Sequence, residues 1–295
     1  MDGVLIVDKP EGLTSHDVVA AARRALGERR IGHTGTLDPL ATGVLPLAIG
    51  RATRLVRFLS ATDKDYEATI RFGFTTDSYD ITGAETSRTD TAPTRDRVEA
   101  AIETLRGHYL QTPPAFSAKK VAGQRAYAMA RRDEAVELAP VPVRVDRVEL
   151  LELSGDRARV ALTSSAGFYV RTFAHALGEH AGTGACLEAL RRTRSGEFGL
   201  DEAVAVGQFN DRAALEARIR PLARLMGGFP SVVVSSRGRG YVSNGRELGM
   251  GDYEPAGGTQ DPTPWIRLLD GSGALIGLAT PGQAADSLLP SIVLI

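Results

Sequence analysis

The stretch Gly32-His33-Thr34-Gly35-Thr36-Leu37-Asp38-Pro39-Leu40-Ala41-Thr42-Gly43 holds one carboxylate, Asp38, among three glycines, a proline and a histidine. Glycine lets a backbone turn where a side chain would clash, and proline fixes one dihedral of the turn. Such a stretch makes a rigid loop that presents Asp38. A carboxylate so held, if ionised, can act as a nucleophile. Asp-Pro also opens ordinary turns, and a lone carboxylate on a loop is usually solvated, so the dipeptide alone carries no function.

The elements around the loop follow from pattern. Val4 to Val7 reads as a short apolar strand running into the turn Asp8 to Gly12. Thr14 and Ser15 offer N-cap oxygens for a helix with an apolar stripe of Val18, Val19, Ala22 and Leu26, stopped by Gly27. Beyond the loop, Val44 to Ile49 reads as a buried strand and Ala52 to Leu59 as an amphipathic helix. Lys64 to Phe74 alternates and puts Tyr66 on the buried face, where a core tyrosine with a satisfied hydroxyl is the plain alternative to a functional one. Thr75 to Thr94 reads as a loop, and Val98, Ala101, Ile102 and Leu105 mark a helix ended by Gly107. Prolines keep Gln111 to Lys120 extended, ahead of a basic helix from Lys120 to Arg131.

Val141 to Leu153 and Ala158 to Thr163 are expected as strands joined by a hairpin turn at Gly155-Asp156. The next helix has Val170, Phe173 and Leu177 on its apolar side, with Tyr169 and Arg171 in its first turn. An arginine there is otherwise a surface ion pair worth under about 1 kcal/mol. A helix over Ala213 to Leu225 closes this part, and Gly227 to Pro230 reads as a linker. Short strands then follow at Val232 to Ser235, Trp265 to Leu269, Ala274 to Ala279 and Ile292 to Ile295, which suggest a small β-barrel.

The pattern Gly-His-Thr-Gly-x-Leu-Asp-Pro-x-Ala-Thr-Gly resembles the catalytic loop of the TruB-type pseudouridine synthases, which act on the T-loop of transfer RNA. Three further blocks resemble the same family in order: Lys120-x-x-Gly123-x-Arg125-x-Tyr127, Gly167-x-Tyr169-x-Arg171-Thr172 and Leu190-Arg191-Arg192. The resemblance implies an α+β fold with a mixed, largely antiparallel central sheet flanked by helices, and a small C-terminal PUA-like β-barrel. It divides the chain into a catalytic domain over 1–228, with an RNA-gripping insertion at about 112–140, and an RNA-binding domain over 229–295. It makes Asp38 the nucleophile, Arg171 its charge partner, and Tyr66 the residue that stacks on the target base and helps move a proton. His33 would contact RNA where the base leaves, with a loop-capping histidine as the alternative. Tyr169 and Leu190 would wall the pocket, and Lys119, Lys120 and Arg125 would bind RNA. Acidic Asp65 and Glu67 flank Tyr66 where the family commonly has basic neighbours.

Detaching uracil and rejoining it through C5 consumes nothing and changes no oxidation state, so neither cofactor nor metal is expected. No Walker loop, dinucleotide fingerprint or paired histidine ligands occur in the sequence. One carboxylate in an apolar loop suits isomerisation better than hydrolysis, which generally adds a second. A net charge of -1 argues by itself against a nucleic-acid binder, but the basic residues cluster at Lys119 to Arg132 and Arg191 to Arg194. The single Cys186, the absence of a membrane-length apolar run and the start Met1-Asp2-Gly3-Val4 lead to the expectation of a cytoplasmic, monomeric protein. The partner would be the tRNA T-stem-loop, with no membrane and no obligatory protein partner. An RNA-folding module on the same fold, and a subunit of guide-RNA-directed particles, are the rival readings. The second leads one to expect long basic extensions, and the sequence ends at Ile295 without one.

Overall fold

The computed structural model of the chain describes all residues except 90, 118, 122–123, 126–131, 133–137 and 258–262. Its centre is an 11-stranded sheet. The main path runs Val204–Ala205, Gly3–Lys9, Ala41–Ile49, Ala185–Ser195, Lys64–Phe72, Arg157–Ser164, Val141–Ser154 and Gly107–Gln111. Gly3–Lys9 pairs in parallel with Val204–Ala205, and Ala41–Ile49 with Ala185–Ser195; the other pairings are antiparallel. The mixed, largely antiparallel sheet expected above is therefore present.

Alternation explains why the first strand is apolar throughout. Leu5 and Val7 point to the helix Ser15–Leu26, while Val4 and Ile6 point to the other face, where the C-terminal sheet packs. The helix Ser15–Leu26 has the expected capping: Thr14 Oγ1 accepts from Asp17 N at 3.1 Å, Thr14 N donates to Asp17 Oδ2 at 2.9 Å, and Gly27 adopts φ 64°. The helices Arg95–Thr104 and Val170–Ala181 cover the other half of the sheet in one apolar cluster with Tyr66, Ile70, Phe72 and Leu187.

Several local expectations are corrected. Ala52 to Leu59 is a 3-10 stretch, Gly50–Leu55, followed by one α-helical turn, Val56–Ser60. The Thr75 to Thr94 loop contains a two-stranded hairpin, Phe74–Thr76 with Glu85–Arg88, joined by Thr75 Oγ1 contacts to Thr86 and Ser87. The helix expected to reach Leu225 ends at Ala217, because Pro221 lacks a donor and holds the preceding residue out of the helical region. Where a basic helix was expected from Lys120, the backbone of Lys120–Val121 pairs with Gln124–Arg125; the rest of that segment up to Arg131 lies outside the described residues.

At the C-terminus a five-stranded sheet, in the order Tyr253–Gly257, Ser231–Val234, Ile266–Leu269, Leu275–Pro281, Leu288–Val293, replaces the expected closed barrel. Each edge strand carries a proline, Pro255 or Pro290, which removes a donor from the ladder. The last strand makes one isolated bridge, from Leu288 to Leu248, which lies outside the opposite edge strand. The sheet is seated on the first unit by Leu275, Leu278 and Leu294, and by Trp265, whose ring meets Phe58 edge-on at 4.8 Å.

Candidate active site

The Asp38 loop lies between the strands Ile31–His33 and Ala41–Ile49 and is pinned on both sides. Ser15, at the start of its helix, donates to Leu37 O at 3.0 Å and accepts from Leu37 N at 2.8 Å. Gly12 N donates to Pro39 O at 2.8 Å, and Ala41 N to Asp38 O at 3.0 Å. Lys9 closes the anchorage: fully buried, its ammonium donates to Pro10 O at 2.8 Å, Leu13 O at 2.6 Å and Pro39 O at 3.4 Å. Gly43 follows at φ 100°, and a Cβ there would come within 2.2 Å of Arg192 O, so the loop's last glycine permits the approach of the neighbouring strand.

Burial lowers the Lys9 ammonium to about 8 from 10.5, with Asp38 pulling the other way. Between those values the unfolded chain binds more protons than the folded one, so the Lys9 contribution to stability rises as pH climbs from about 8 to 10.5. Thermal melts across that window should show the wild type gaining on Lys9→Met by up to about 1.4 kcal/mol per pH unit. A difference that does not change with pH would remove the buried ammonium from the loop's anchorage.

The structure brings Arg171 to Asp38, as expected. Arg171 Nε lies 3.0 Å from Asp38 Oδ2. Its other nitrogens are used as well: Nη1 reaches Ser78 O at 3.2 Å and Asp80 Oδ2 at 3.4 Å, and Nη2 donates to Phe116 O at 2.8 Å. Asp80, only 4% exposed, accepts from Ser78 Oγ at 2.9 Å and from Thr82 N and Oγ1 at 3.0 and 2.6 Å. That turn includes Tyr79 at φ 63°, a conformation few side chains adopt, with its ring stacked on His175 at 3.9 Å. Asp80 was not singled out in the sequence, where it sits in a polar stretch with the look of a loop.

The Asp38 carboxyl stands above its ordinary value: burial pushes it up, Arg171 pulls it down, Asp80 pushes it up again and Lys9 pulls it down. Arg171 therefore offsets part of the desolvation and not all of it. The carboxylate still keeps 38% of its side-chain surface accessible, against 6% for Arg171, so it is the exposed member of the pair.

Asp38 opens into a cavity of about 430 Å³, whose lining also includes Tyr66, Tyr169, Leu190, Arg171, Arg192 and His33. Among the described residues, Asp38 is the one carboxylate in that lining; Asp80 lies behind Arg171. Tyr66 is 7% exposed and in register with Arg192 of the adjacent strand. Tyr169 is the residue before the Arg171 helix, fixed by Gln111 through Tyr169 N to Oε1 at 2.8 Å and Nε2 to Tyr169 O at 3.1 Å. Leu190 pairs with Ala68 and Ala41. His33 has its imidazole lowered to about 4 by burial, His16 and Arg192, and its Nδ1 has no partner among the described residues, so that atom does not cap the loop.

Lys119 is half-buried and absent from the cavity lining. The side chains of Lys120 and Arg125 lie outside the described residues. No group of three or more His, Cys, Asp or Glu suited to a metal ion occurs among the described residues.

Two family profiles match the chain. One, the N-terminal domain of the TruB family pseudouridylate synthases, covers residues 23–170, and the other, the C-terminal domain of tRNA pseudouridylate synthase B, covers 171–226. The chain belongs to the TruB family of pseudouridylate synthases. As a TruB-family member it is an isomerase, and Asp38, Tyr66 and Arg171 line one cavity. The boundary between the matched stretches falls at the start of the Val170–Ala181 helix, and strands from both join one sheet, so they fold as a unit.

Relatives extend over most of the TruB-family chain. A protein of Solibacter usitatus (strain Ellin6076) named tRNA pseudouridine synthase B is 45% identical over 94% of this chain and 95% of its own. One of the same name from Stutzerimonas stutzeri (strain A1501) is 37% identical over 94% and 91%. Among solved structures, an archaeal box H/ACA sRNP Nop10-Cbf5 complex includes a chain with a TM-score of 0.74 at 23% identity, covering 99% of this chain and 86% of that one. That likeness shows the pseudouridine synthase fold.

Proposed function

We propose that this enzyme converts the uridine at position 55 in the T-loop of tRNA to pseudouridine, with Asp38 as the nucleophile acting on a flipped-out base. The observation that carries the reading is a single accessible carboxylate, held by a buried arginine, in a cavity of nucleotide size beside a buried tyrosine. Relatives named tRNA pseudouridine synthase B support tRNA as the substrate.

The target base must leave its stack before its C1′ and C5 can be reached. Extrusion costs a few kcal/mol, and stacking on an aromatic side chain returns about 1 to 3 kcal/mol. Tyr66 supplies that stack, while His33, in the cavity lining and uncharged near neutral pH, contacts RNA where the base departs. Asp38 attacks or stabilises the sugar carbon as the bond to N1 breaks; the freed uracil turns and rejoins through C5. Tyr169 and Leu190 limit its motion, and Arg171 keeps the carboxylate aimed.

The same proposal assigns 1–228 to catalysis and 229–295 to a PUA-like RNA-binding unit, with Lys119, Lys120 and Arg125 gripping the RNA from the insertion. It also makes the protein a cytoplasmic monomer that needs no protein partner. Among the described residues, no helix is long and apolar enough to cross a membrane.

The reaction removes hydrogen from C5, so tritium release from a T-arm stem-loop labelled with [5-³H]uridine reads it directly. Wild type should release one tritium per RNA, and an RNA with cytidine at the target should release none. In the same assay Tyr66→Phe should bind RNA as the wild type does and lose at least about 100-fold in single-turnover rate. A near-normal rate would take the hydroxyl out of the mechanism.

A further inference from the structure

The cavity contains a second buried guanidinium that the mechanism above leaves without a role. Arg192 is 1% exposed and, among the described residues, has no carboxylate partner. A buried cation without a counter-ion is expensive, so its retention calls for a compensating group. The residue opposite it is Tyr66, which lines the same cavity and whose phenol the neighbouring guanidinium pulls toward its charged form. Register explains the meeting: Arg192 and Tyr66 are directly paired across adjacent antiparallel strands, so their side chains share a face.

The rest of the guanidinium is fixed. Nε donates to Val44 O at 2.7 Å and Nη2 to Gly35 O at 3.1 Å. Arg192 thus ties together the Asp38 loop at Gly35, the strand that follows it, and the tyrosine.

We propose that Arg192 is a positioning residue for Tyr66, holding the phenol oxygen in place and stabilising negative charge on it during removal of the C5 proton. The proposal rests on the pseudouridine-forming reading above. Charge grows on the oxygen as Tyr66 passes its own proton to N1 of the detached base, and the phenolate is then reprotonated by the proton it takes from C5. The C5–H electron pair forms the C5–C6 double bond, so N1 has gained one proton, C5 has lost one and Tyr66 ends neutral, and product and substrate contain the same atoms.

Around Tyr66, burial acts against the charged form, as do Asp38 from the loop and Asp65 on its own strand; Arg192 is the group that favours it. Lys64, two residues away, is tied to Ser60 O at 2.7 Å and to Thr62 O and faces Arg192, which adds to the cost of keeping both charges buried.

The test has two readouts. In the first, 3,5-difluorotyrosine replaces Tyr66 to bring phenol ionisation into an accessible range, and ¹⁹F NMR follows it in the free protein. Arg192→Gln should move the midpoint up by about one unit or more, and Arg192→Lys by less. An unmoved midpoint in folded Arg192→Gln overturns the proposal whatever the substrate proves to be. In the second, single-turnover tritium release from the T-arm should fall roughly 10- to 100-fold in Arg192→Gln, with RNA affinity held and partial recovery in Arg192→Lys. In a Tyr66→Phe background the same substitution should add less than about 3-fold. Equal losses in both backgrounds would show a structural role and overturn it. Wild-type inactivity on the T-arm would instead count against the substrate reading, leaving the NMR result to decide on Arg192.

Discussion

Asp38→Asn should lose at least about 10³-fold in pseudouridine formation while binding the T-arm as the wild type does. The substitution keeps size and shape but removes the charge and the nucleophilic oxygen. Its neighbours have no means of replacing it: Asp80 is 4% exposed, bonded to Ser78 and Thr82 behind Arg171, and absent from the main cavity's lining. Folding should survive, because the loop backbone is held through Ser15, Gly12 and Lys9 besides the carboxylate's contact with Arg171, which keeps Asp80 as a second partner. Since the Asp38 carboxyl stands above its ordinary value, removing it should relieve some desolvation cost, and the variant should melt no lower than the wild type. Single-turnover rates with saturating enzyme, together with a filter-binding curve, separate the two effects. A variant within about 10-fold of wild type would leave Asp38 with no covalent or electrostatic part in the reaction.

Arg171→Ala should fail in both activity and stability. Arg171 has a side chain 6% exposed and bridges two carboxylates from different segments while closing on Ser78 O and Phe116 O. Removing one partner of a buried pair typically costs about 3 to 5 kcal/mol, because the other charge stays behind. Turnover should fall at least about 100-fold as Asp38 loses its aim, with RNA affinity retained. Without its cation, Asp38 moves further up, so the folded variant binds more protons than its unfolded chain. The stability deficit against wild type should therefore shrink as pH falls from 8 to 5, which chemical denaturation at both pH values would show. Arg171→Lys should restore part of the stability and little of the rate, since an ammonium cannot span both carboxylates as the fork does. A pH-independent deficit would mean that Asp38 is not what Arg171 compensates.

The Asp38 loop was legible because its twelve residues carry their pattern in order: glycines where the backbone turns, and Asp38 beside a proline. The alternation read over Lys64 to Phe74 put Tyr66 on the buried face of the strand Lys64–Phe72, and Arg171 was legible through the short Tyr169 block. What escaped was whatever depends on contacts distant in sequence. Asp80 reaches Arg171 from 91 residues away, and Lys9 reaches Pro39 from 30. Nothing local distinguishes such a buried Asp or Lys from a solvated one. Arg192 was visible as part of Leu190-Arg191-Arg192, but strand pairing alone decides that Arg192 turns inward while Arg191 bonds Asp8. The helix over Ala213 to Leu225 failed because apolar spacing was weighed over Pro221, and the barrel failed because prolines in the edge strands leave the sheet open.

The most direct measurement incubates the enzyme with a full-length unmodified tRNA transcript, then maps pseudouridine by chemical labelling and primer extension, with Asp38→Asn alongside. Product mass is no guide, because pseudouridine is an isomer of uridine. A single stop at the T-loop uridine with wild type, absent with Asp38→Asn, is the result expected. A stop elsewhere, or the same stop with both proteins, would contradict the assignment of substrate or of nucleophile.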